Sequence, residues 1–281
     1  MNISELIRAG ATILSDISDS PRLDAELLLG VVLRRSRTQL ITYGDETVGA
    51  EDERLFEELL AKRLEGQPVA HITGIREFWS IPLKVNAATL VPRPETEMLV
   101  EHSLQHIPSD APVRVLDLGT GSGAIIIAIS SERPHAVLHA VDASEDALSI
   151  ARENGSRCES TINWHLGSWF NPVANESFDL IVSNPPYIGT DETGVIDPEL
   201  KFEPKQALYS GRDGLDDIIL ITSQAPQHLS DQGWLLIEHG YAQGEAVREL
   251  FVANNFVEVT TICDLAGLPR ITSGRIAPKH H

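Results

Sequence analysis

The sequence predicts an α/β fold: a mostly parallel β-sheet with helices on both faces, preceded by a small helical domain. Three observations predict it. From about residue 95 onward, short apolar runs alternate with amphipathic stretches of helical length, the pattern of strands and crossover helices. Residues 1–75 carry helical periodicity instead, and residues 76–94 turn to short β-like runs. At 281 residues the chain has room for one large domain and a smaller one. The expected boundaries are therefore 1–75 for the helical domain, 76–94 for a β-hairpin linker and 95–281 for the sheet domain.

Taken in order, Ser20-Pro21 marks a helix start, with Ser able to cap free N–H groups and Pro suited to the first turn. The amphipathic run Leu23 through Leu29 follows. A further helix is expected over 51–65, with Leu55, Phe56, Leu59, Leu60 and Leu64 on one stripe, ended by Gly66-Gln67-Pro68. The stretches Phe78 through Val85 and Thr89-Leu90-Val91 read as the two strands of the hairpin. Beyond them come a helix over 95–106, a strand over 113–118, a Gly-rich turn, and a helix over 124–131. A strand ending at Asp142, a helix over 144–154, and strands over 179–183 and 234–238 follow. A helix over 243–254 and a last strand over 257–263 complete the set. Ligands of such sheets bind beyond the carboxyl ends of the strands.

Composition narrows the function classes. With 42% hydrophobic and 22% charged residues, the chain is an ordinary globular sequence. No apolar run is long enough for a bilayer, and the N-terminus lacks the basic start and apolar core of a signal peptide. Cys158 and Cys263 form no CxxC pair and no disulfide framework, so they read as ordinary thiols. A cytoplasmic location without membrane association is expected. The formal net charge of −19 opposes a phosphate backbone, so stable nucleic-acid binding is not expected.

Two motifs carry the chemistry. Gly119-Thr120-Gly121-Ser122-Gly123 lies between a predicted strand and helix, where glycines let a ligand approach the backbone. Asp142 ends the next strand, where its carboxylate can accept both hydroxyl protons of a ribose. This much says only that an adenosine-type cofactor binds, because Gly119, Gly121 and Ala124 also satisfy the dinucleotide pattern of a dehydrogenase. The second motif, Asn184-Pro185-Pro186-Tyr187, follows directly on a strand. An amide or aniline-like nitrogen is a poor nucleophile, so a methyltransferase acting on one must orient it and polarise its N–H groups. The side-chain carbonyl of Asn184 and the backbone carbonyl of Pro185 can accept those two N–H bonds. Successive prolines stiffen the loop, and Tyr187 offers an apolar face.

With these motifs the chain resembles the class I (Rossmann-like) methyltransferases that carry the Asn-Pro-Pro-Tyr tetrapeptide. Within them it is similar to the HemK/PrmC family, the N5-glutamine methyltransferases of peptide chain release factors. The resemblance spans nearly the whole chain. It includes Pro21 through Leu29, Gln67 through Gly74, Glu77-Phe78-Trp79, Val91-Pro92-Arg93-Pro94-Glu95-Thr96-Glu97, Glu203-Pro204, Gly211 through Asp216 and Asp264 through Gly267. It implies S-adenosyl-L-methionine as cofactor, S-adenosyl-L-homocysteine as product, and as substrate the glutamine of a Gly-Gly-Gln tripeptide, whose methylation aids peptide release. It implies that Gly119 to Gly123 hold the methionine end, Asp142 the ribose, and that Trp169 packs beside the adenine. By the same resemblance Asn184 touches cofactor and substrate, Asn184 through Tyr187 bind the amide, and the helical domain grips the release factor. Two positions depart from the pattern: Ser168 stands where Asp is frequent, and His71 where Tyr is more usual.

Other residues carry weaker signals. His102 and His106 have helical metal spacing but no third ligand, so a solvated face is expected. Glu238-His239 reads as structural, and Thr96 and Glu97 divide equally between helix capping and an approach to the cofactor. The alternatives are a glutamine methyltransferase of a ribosomal protein, a DNA adenine methyltransferase, and a dehydrogenase-like or non-catalytic nucleotide binder. Adenine presents a similar NH2, but no basic cleft is visible. The terminal Lys279-His280-His281 reads as a tag remnant.

Overall fold

A computed structural model describes residues 1–192 and 198–278, and Lys279-His280-His281 lie outside the described residues. The chain divides into two compact units. One is Met1–Ile75 with the described part of Asp197–Phe202, and the other holds the rest. The first unit is helical: α1 Ile3–Ile13, α2 Pro21–Leu33, α3 Arg37–Thr42, α4 Ala50–Leu64 and α5 Val69–Thr73. Pro21 does occupy the first turn of α2, but the Ser20 side chain makes no capping hydrogen bond. On α4 only part of the predicted stripe is inside. Phe56 and Leu60 are buried with Leu6, Leu28 and Leu29, while Leu55 and Leu64 are exposed. Arg63 of α4 is buried beside Asp24 of α2 at 2.9 Å and Glu199 at 2.7 Å, so its charge is balanced where water is excluded.

The second unit opens with a hairpin, β1 Ile75–Phe78 and β2 Ile81–Lys84. This corrects the predicted pairing, because Thr89-Leu90-Val91 is loop and the turn falls at Trp79-Ser80. Both turn residues have positive φ, 54° and 60°. Such turns usually announce themselves by Asn-Gly or Asp-Gly. Next come α6 Thr96–Leu104, β3 Arg114–Leu118, α7 Ala124–Glu132, β4 Val137–Asp142, α8 Glu145–Arg157, β5 Ile162–Leu166 and β6 Phe178–Ser183. The unit ends with α9 Asp216–His228, β7 Leu229–Glu238, α10 Gly244–Ala253, β8 Phe256–Cys263 and β9 Pro269–Ile276. The strand over 256–263 is therefore not the last, and β5 and α9 were not expected.

The seven strands run in the order β5-β4-β3-β6-β7-β9-β8. The pairs from β5 to β7 are parallel, and β9 is antiparallel to both β7 and β8. One face packs Val115, Leu138 and Leu180 against α6 and α7, and the other packs Leu116, Ile181 and Leu235 against α9 and α10. Burial on both faces explains why these strands read as unbroken apolar runs. This is the predicted α/β class, a mostly parallel sheet covered by helices on both faces.

The register concentrates the loops. Leu118 of β3 pairs with Val141 of β4 and Ser183 of β6, and Ser183 pairs with Ile237 of β7. The residues that leave these four strands at their carboxyl ends therefore start from one row. They are Gly119, Asp142, Asn184 and Glu238. Chain order reverses between β4 and β6 on either side of β3, the switch point where such sheets bind ligands.

Candidate functional site

A cavity of about 200 Å³ opens at that row. Gly119, Gly121, Asp142, Trp169, Asn184 and Pro186 line it. Thr120, Ser122, Gly123, Pro185 and Tyr187 do not line it, although they belong to the same two loops. The rest of the lining includes Ser168 and Pro204, which the resemblance named, Thr89-Leu90, expected as strand, and Gln206-Ala207, which the sequence did not single out.

The glycine loop is held by β4. The Gly119 and Thr120 amides donate to the Val141 carbonyl at 2.9 and 3.0 Å. Gly121 N–H donates to Asp142 Oδ2 at 2.8 Å, and Ser144 N–H donates to Asp142 Oδ1 at 2.9 Å. The carboxylate is thus fixed at the cavity wall by one backbone donor on each oxygen, with lone pairs left for a ligand. Burial raises its pKa and these backbone hydrogen bonds oppose the rise. Gly121 has φ +56°, and a Cβ there would meet nothing within 4 Å, so the loop faces open space. A Cβ on Gly119 would instead sit 3.4 Å from the Trp169 ring, which presents a flat aromatic surface beside the loop.

Thr120 and Ser122 turn inward. Thr120 Oγ1 donates to Asp117 Oδ2 at 2.6 Å, and the Ser122 carbonyl accepts from Asn154 Nδ2 at 2.9 Å. Asp117 is fully buried under the loop, and desolvation pushes its pKa from the ordinary 3.8 to about 7, with the Asp142 charge adding to the rise. A raised carboxyl pKa means the fold favours the neutral acid. Its contribution to stability is complete below about pH 4 and is lost as pH rises through about 7. Asp117→Asn should therefore flatten the fall in urea midpoint across that window. An unchanged slope would show that Asp117 does not carry it.

Asn184 stands at the end of β6, whose last residue, Ser183, donates its hydroxyl to the Leu118 carbonyl at 2.8 Å. Asn184 Nδ2 donates to Thr96 Oγ1 at 3.1 Å. Its Oδ1 is buried and finds no hydrogen-bond partner among the described residues. A buried carbonyl left unpaired beside a cavity is costly unless a donor arrives there. Pro185 is buried, and Tyr187 packs partly buried against the core. The Tyr187 carbonyl accepts from Gln243 Nε2 at 3.0 Å. Burial, with the nearby Glu238, pushes the Tyr187 phenol well above its ordinary range, so it stays neutral.

The segment Val91 through Glu97 braces this edge. Arg93 pairs with Glu203 at 2.7 Å, and Glu203 also accepts from Val91 N–H at 3.2 Å, which draws the 203–207 loop to the cavity. Glu97 accepts from Trp79 N–H at 2.8 Å and so ties the hairpin rather than facing a ligand. Thr96 is buried, and its hydroxyl makes no side-chain cap. Glu238 is buried, desolvation raises its pKa to about 7, and its Oε2 finds no hydrogen-bond partner among the described residues. His239 is wholly buried, with its ring nitrogens 3.0 Å from the Gly240 carbonyl and 2.9 Å from Thr272 Oγ1.

The remaining candidates lie elsewhere. His106 stacks on Trp234 with centroids 4.0 Å apart, and His102 Nδ1 lies 3.3 Å from Gln105 Nε2, so their spacing serves packing and surface contacts. His139, His165 and Glu176 form a cluster on β4, β5 and the approach to β6. His139 Nδ1 and His165 Nε2 lie 3.1 Å apart, in hydrogen-bonding distance, and Arg114 pairs with Glu176 at 2.6 Å, so the cluster finds partners within the protein. Ser168 lines the cavity, whereas His71 belongs to α5 in the first unit.

Residues 5–74 match the family described as the PrmC N-terminal domain, and residues 95–211 match the Methyltransferase small domain. The chain is 44% identical over 260 residues to the release factor glutamine methyltransferase of Escherichia coli, covering 92% of this chain and 93% of that one. It is 46% identical over 266 residues to the release factor glutamine methyltransferase of Pseudomonas aeruginosa, covering 94% of this chain and 96% of that one. A methyltransferase structure from Pyrococcus furiosus shares the fold, with a TM-score of 0.55 at 16% identity, over 79% of this chain and 99% of that one. Identity at this level over nearly the full length of both chains, with the motifs at one sheet edge, shows the family: the chain belongs to the release factor glutamine methyltransferases.

Proposed function

We propose that the chain transfers a methyl group from S-adenosyl-L-methionine to the side-chain amide nitrogen of the glutamine in the Gly-Gly-Gln motif of a peptide chain release factor, in the cytoplasm. The observation that carries the reading is the buried, unpartnered carbonyl of Asn184 at the wall of the cavity. An amide N–H is the donor that would satisfy it. The cavity also fits the cofactor. Asp142 offers carboxylate oxygens to a ribose diol, Trp169 a flat surface to a purine, and Gly119 and Gly121 a wall without side chains. Thr120, Ser122 and Gly123 contribute by shaping that loop from within.

S-adenosyl-L-methionine supplies an electrophilic methyl on a sulfonium, which leaves as the neutral thioether of S-adenosyl-L-homocysteine. The protein contributes orientation and polarisation. Asn184 Oδ1 and the Pro185 carbonyl accept the two N–H bonds of the glutamine amide, which fixes its plane and raises electron density on nitrogen. Pro185 has no N–H to compete for these bonds, and Pro186 stiffens the loop. Tyr187, kept neutral by burial, bounds the loop with its ring. No general base is required, because the nitrogen becomes acidic as it gains the methyl and releases its proton to water. Residues 1–75 serve to grip the release factor, with residues 76–94 leading into the catalytic domain of 95–281.

No helix among the described residues is long and apolar enough to cross a membrane. The net charge of −19 favours a basic protein surface over a phosphate backbone as partner. Labelled methyl transfer to full-length release factor, a ribosomal protein and unmethylated DNA, assayed side by side, tests the reading. Label on the release factor that disappears when the Gly-Gly-Gln glutamine is replaced is the expected result. Label on DNA or the ribosomal protein instead would overturn the choice of substrate.

A further inference from the structure

The Pro185 carbonyl has to stay open to the substrate amide, so its position is best set from the two ends of the loop that carries it. At the near end Ser183 is fixed in the sheet, paired with Leu118 of β3 and Ile237 of β7. Between the ends lie Asn184 through Tyr187, and the two proline rings remove rotation about φ at positions 185 and 186. At the far end the peptide unit that joins Tyr187 to Ile188 is held on both sides. The Ile188 N–H donates to the Leu208 carbonyl at 2.9 Å. The Tyr187 carbonyl accepts from Gln243 Nε2 at 3.0 Å.

We propose that Gln243 is a positioning residue that fixes the far end of this loop and thereby places the Pro185 carbonyl for the substrate amide. The inference rests on the role given to Asn184 and Pro185 above. Gln243 stands at the cap position before α10, where a side chain often serves the helix, yet it makes no capping hydrogen bond. Its amide joins three loops instead. Nε2 donates to the Tyr187 carbonyl and to the Asp213 carbonyl, each at 3.0 Å. Oε1 accepts the Gly240 N–H at 2.9 Å. A backbone N–H can only donate and a backbone carbonyl can only accept, so these three partners fix which way the amide points. The side chain thus ties the end of the loop after β6 to the segment before α9 and to the segment after β7. Gly214 completes the fit. It has φ +77°, and a Cβ there would collide with the Tyr187 carbonyl oxygen and come within 2.7 Å of Gln243 Nε2. The Gly211 through Asp216 motif therefore has a part in the candidate site, as the seat against which Gln243 and the Tyr187 carbonyl meet. Gln243 is only half-buried, so water could replace each hydrogen bond, but it could not join the three loops.

The test compares Gln243→Met, Gln243→Glu and Gly214→Ala with the wild type. Methionine keeps the length of the side chain and makes none of the three bonds. Glutamate keeps the acceptor for Gly240, but its carboxylate sets lone pairs against both carbonyls. Alanine at 214 leaves Gln243 in place and pushes on the Tyr187 carbonyl directly. Melting temperature confirms that each variant is folded at the assay temperature. The single-turnover rate, with cofactor and substrate saturating, is expected to fall about tenfold in both Gln243 variants and at least as far in Gly214→Ala. The scale follows from the roughly hundredfold cost of a 1 Å displacement at a reacting group, of which a half-buried tie carries a part. S-adenosyl-L-homocysteine affinity, read by titration, and the KM for the protein substrate should stay within about threefold, because Gly119, Thr120 and Gly121 are held by Val141 and Asp142 and not by Gln243. A role in stability alone would lower the melting temperature and leave the folded enzyme at the wild-type rate. That result in the Gln243 variants would overturn the proposal. So would a loss of S-adenosyl-L-homocysteine affinity as large as the loss of rate, since the whole cavity and not this loop would then have shifted. The comparison is run on whichever substrate the wild type labels. A substrate other than a release factor would thus refute the functional reading, while the variants still decide this one.

Discussion

Asn184→Ala is expected to lower kcat by on the order of a hundred- to a thousandfold, while S-adenosyl-L-homocysteine still binds within about threefold of wild type. The range is that seen when one preorganised polar group is removed from a reacting centre. Alanine deletes the carbonyl that has no partner among the described residues, together with the Nδ2 bond to Thr96. The cofactor loop is untouched, because Gly119 and Thr120 hang on the Val141 carbonyl and Gly121 on Asp142. Single-turnover rates with cofactor saturating separate the two effects. A variant that turns over normally would mean that Asn184 does not hold the substrate amide.

For Asp142→Ala the expected loss falls on binding instead. The dissociation constant for S-adenosyl-L-homocysteine should rise by about a hundredfold, the product of losing charge-assisted hydrogen bonds worth about 1.5–3 kcal/mol each. Two effects add. The ribose loses its acceptors, and Gly121 N–H and Ser144 N–H lose theirs, so the loop also loosens. Isothermal titration measures the sum. Asp142→Asn keeps one carbonyl acceptor and should fall between alanine and wild type. If alanine costs less than about threefold, the carboxylate does not contact the ribose, and its role is confined to shaping the loop.

How much of this was legible in the sequence depends on where each residue's constraint lies. The glycine loop, Asp142 and Asn184 could be read because each follows a buried apolar strand, and the parallel register then brings the strand ends together without further information. Thr89-Leu90 and Gln206-Ala207 could not be read as cavity wall. They are loop residues brought in by tertiary contacts, among them the Arg93–Glu203 pair, which joins positions far apart in the chain. The hairpin turn at Trp79-Ser80 lacks the glycine that positive φ normally calls for. β9 was hidden by Pro269, two arginines and Gly274. That glycine is needed where it stands, because a Cβ there would come within 2.8 Å of the Phe251 ring. α9 was masked by Pro226 inside its last turns. Thr96 and Glu238 were noted in the sequence, but the contact of Thr96 with Asn184 and the burial of Glu238 could not be read there, since such tertiary placement leaves no periodicity in sequence.

The placement of β9 between β7 and β8 bears on how the chain is made. β8 pairs in the sheet with β9 alone, and β9 also covers the edge of β7. A nascent chain that has cleared the ribosome only as far as Cys263 therefore carries one strand with no neighbour and a second with an open edge. Both invite pairing with other chains during the interval before residues 269–276 emerge. The row of β7 that ends in Glu238 is supported on one side only until then, so this edge of the candidate site is among the last parts to be secured during synthesis.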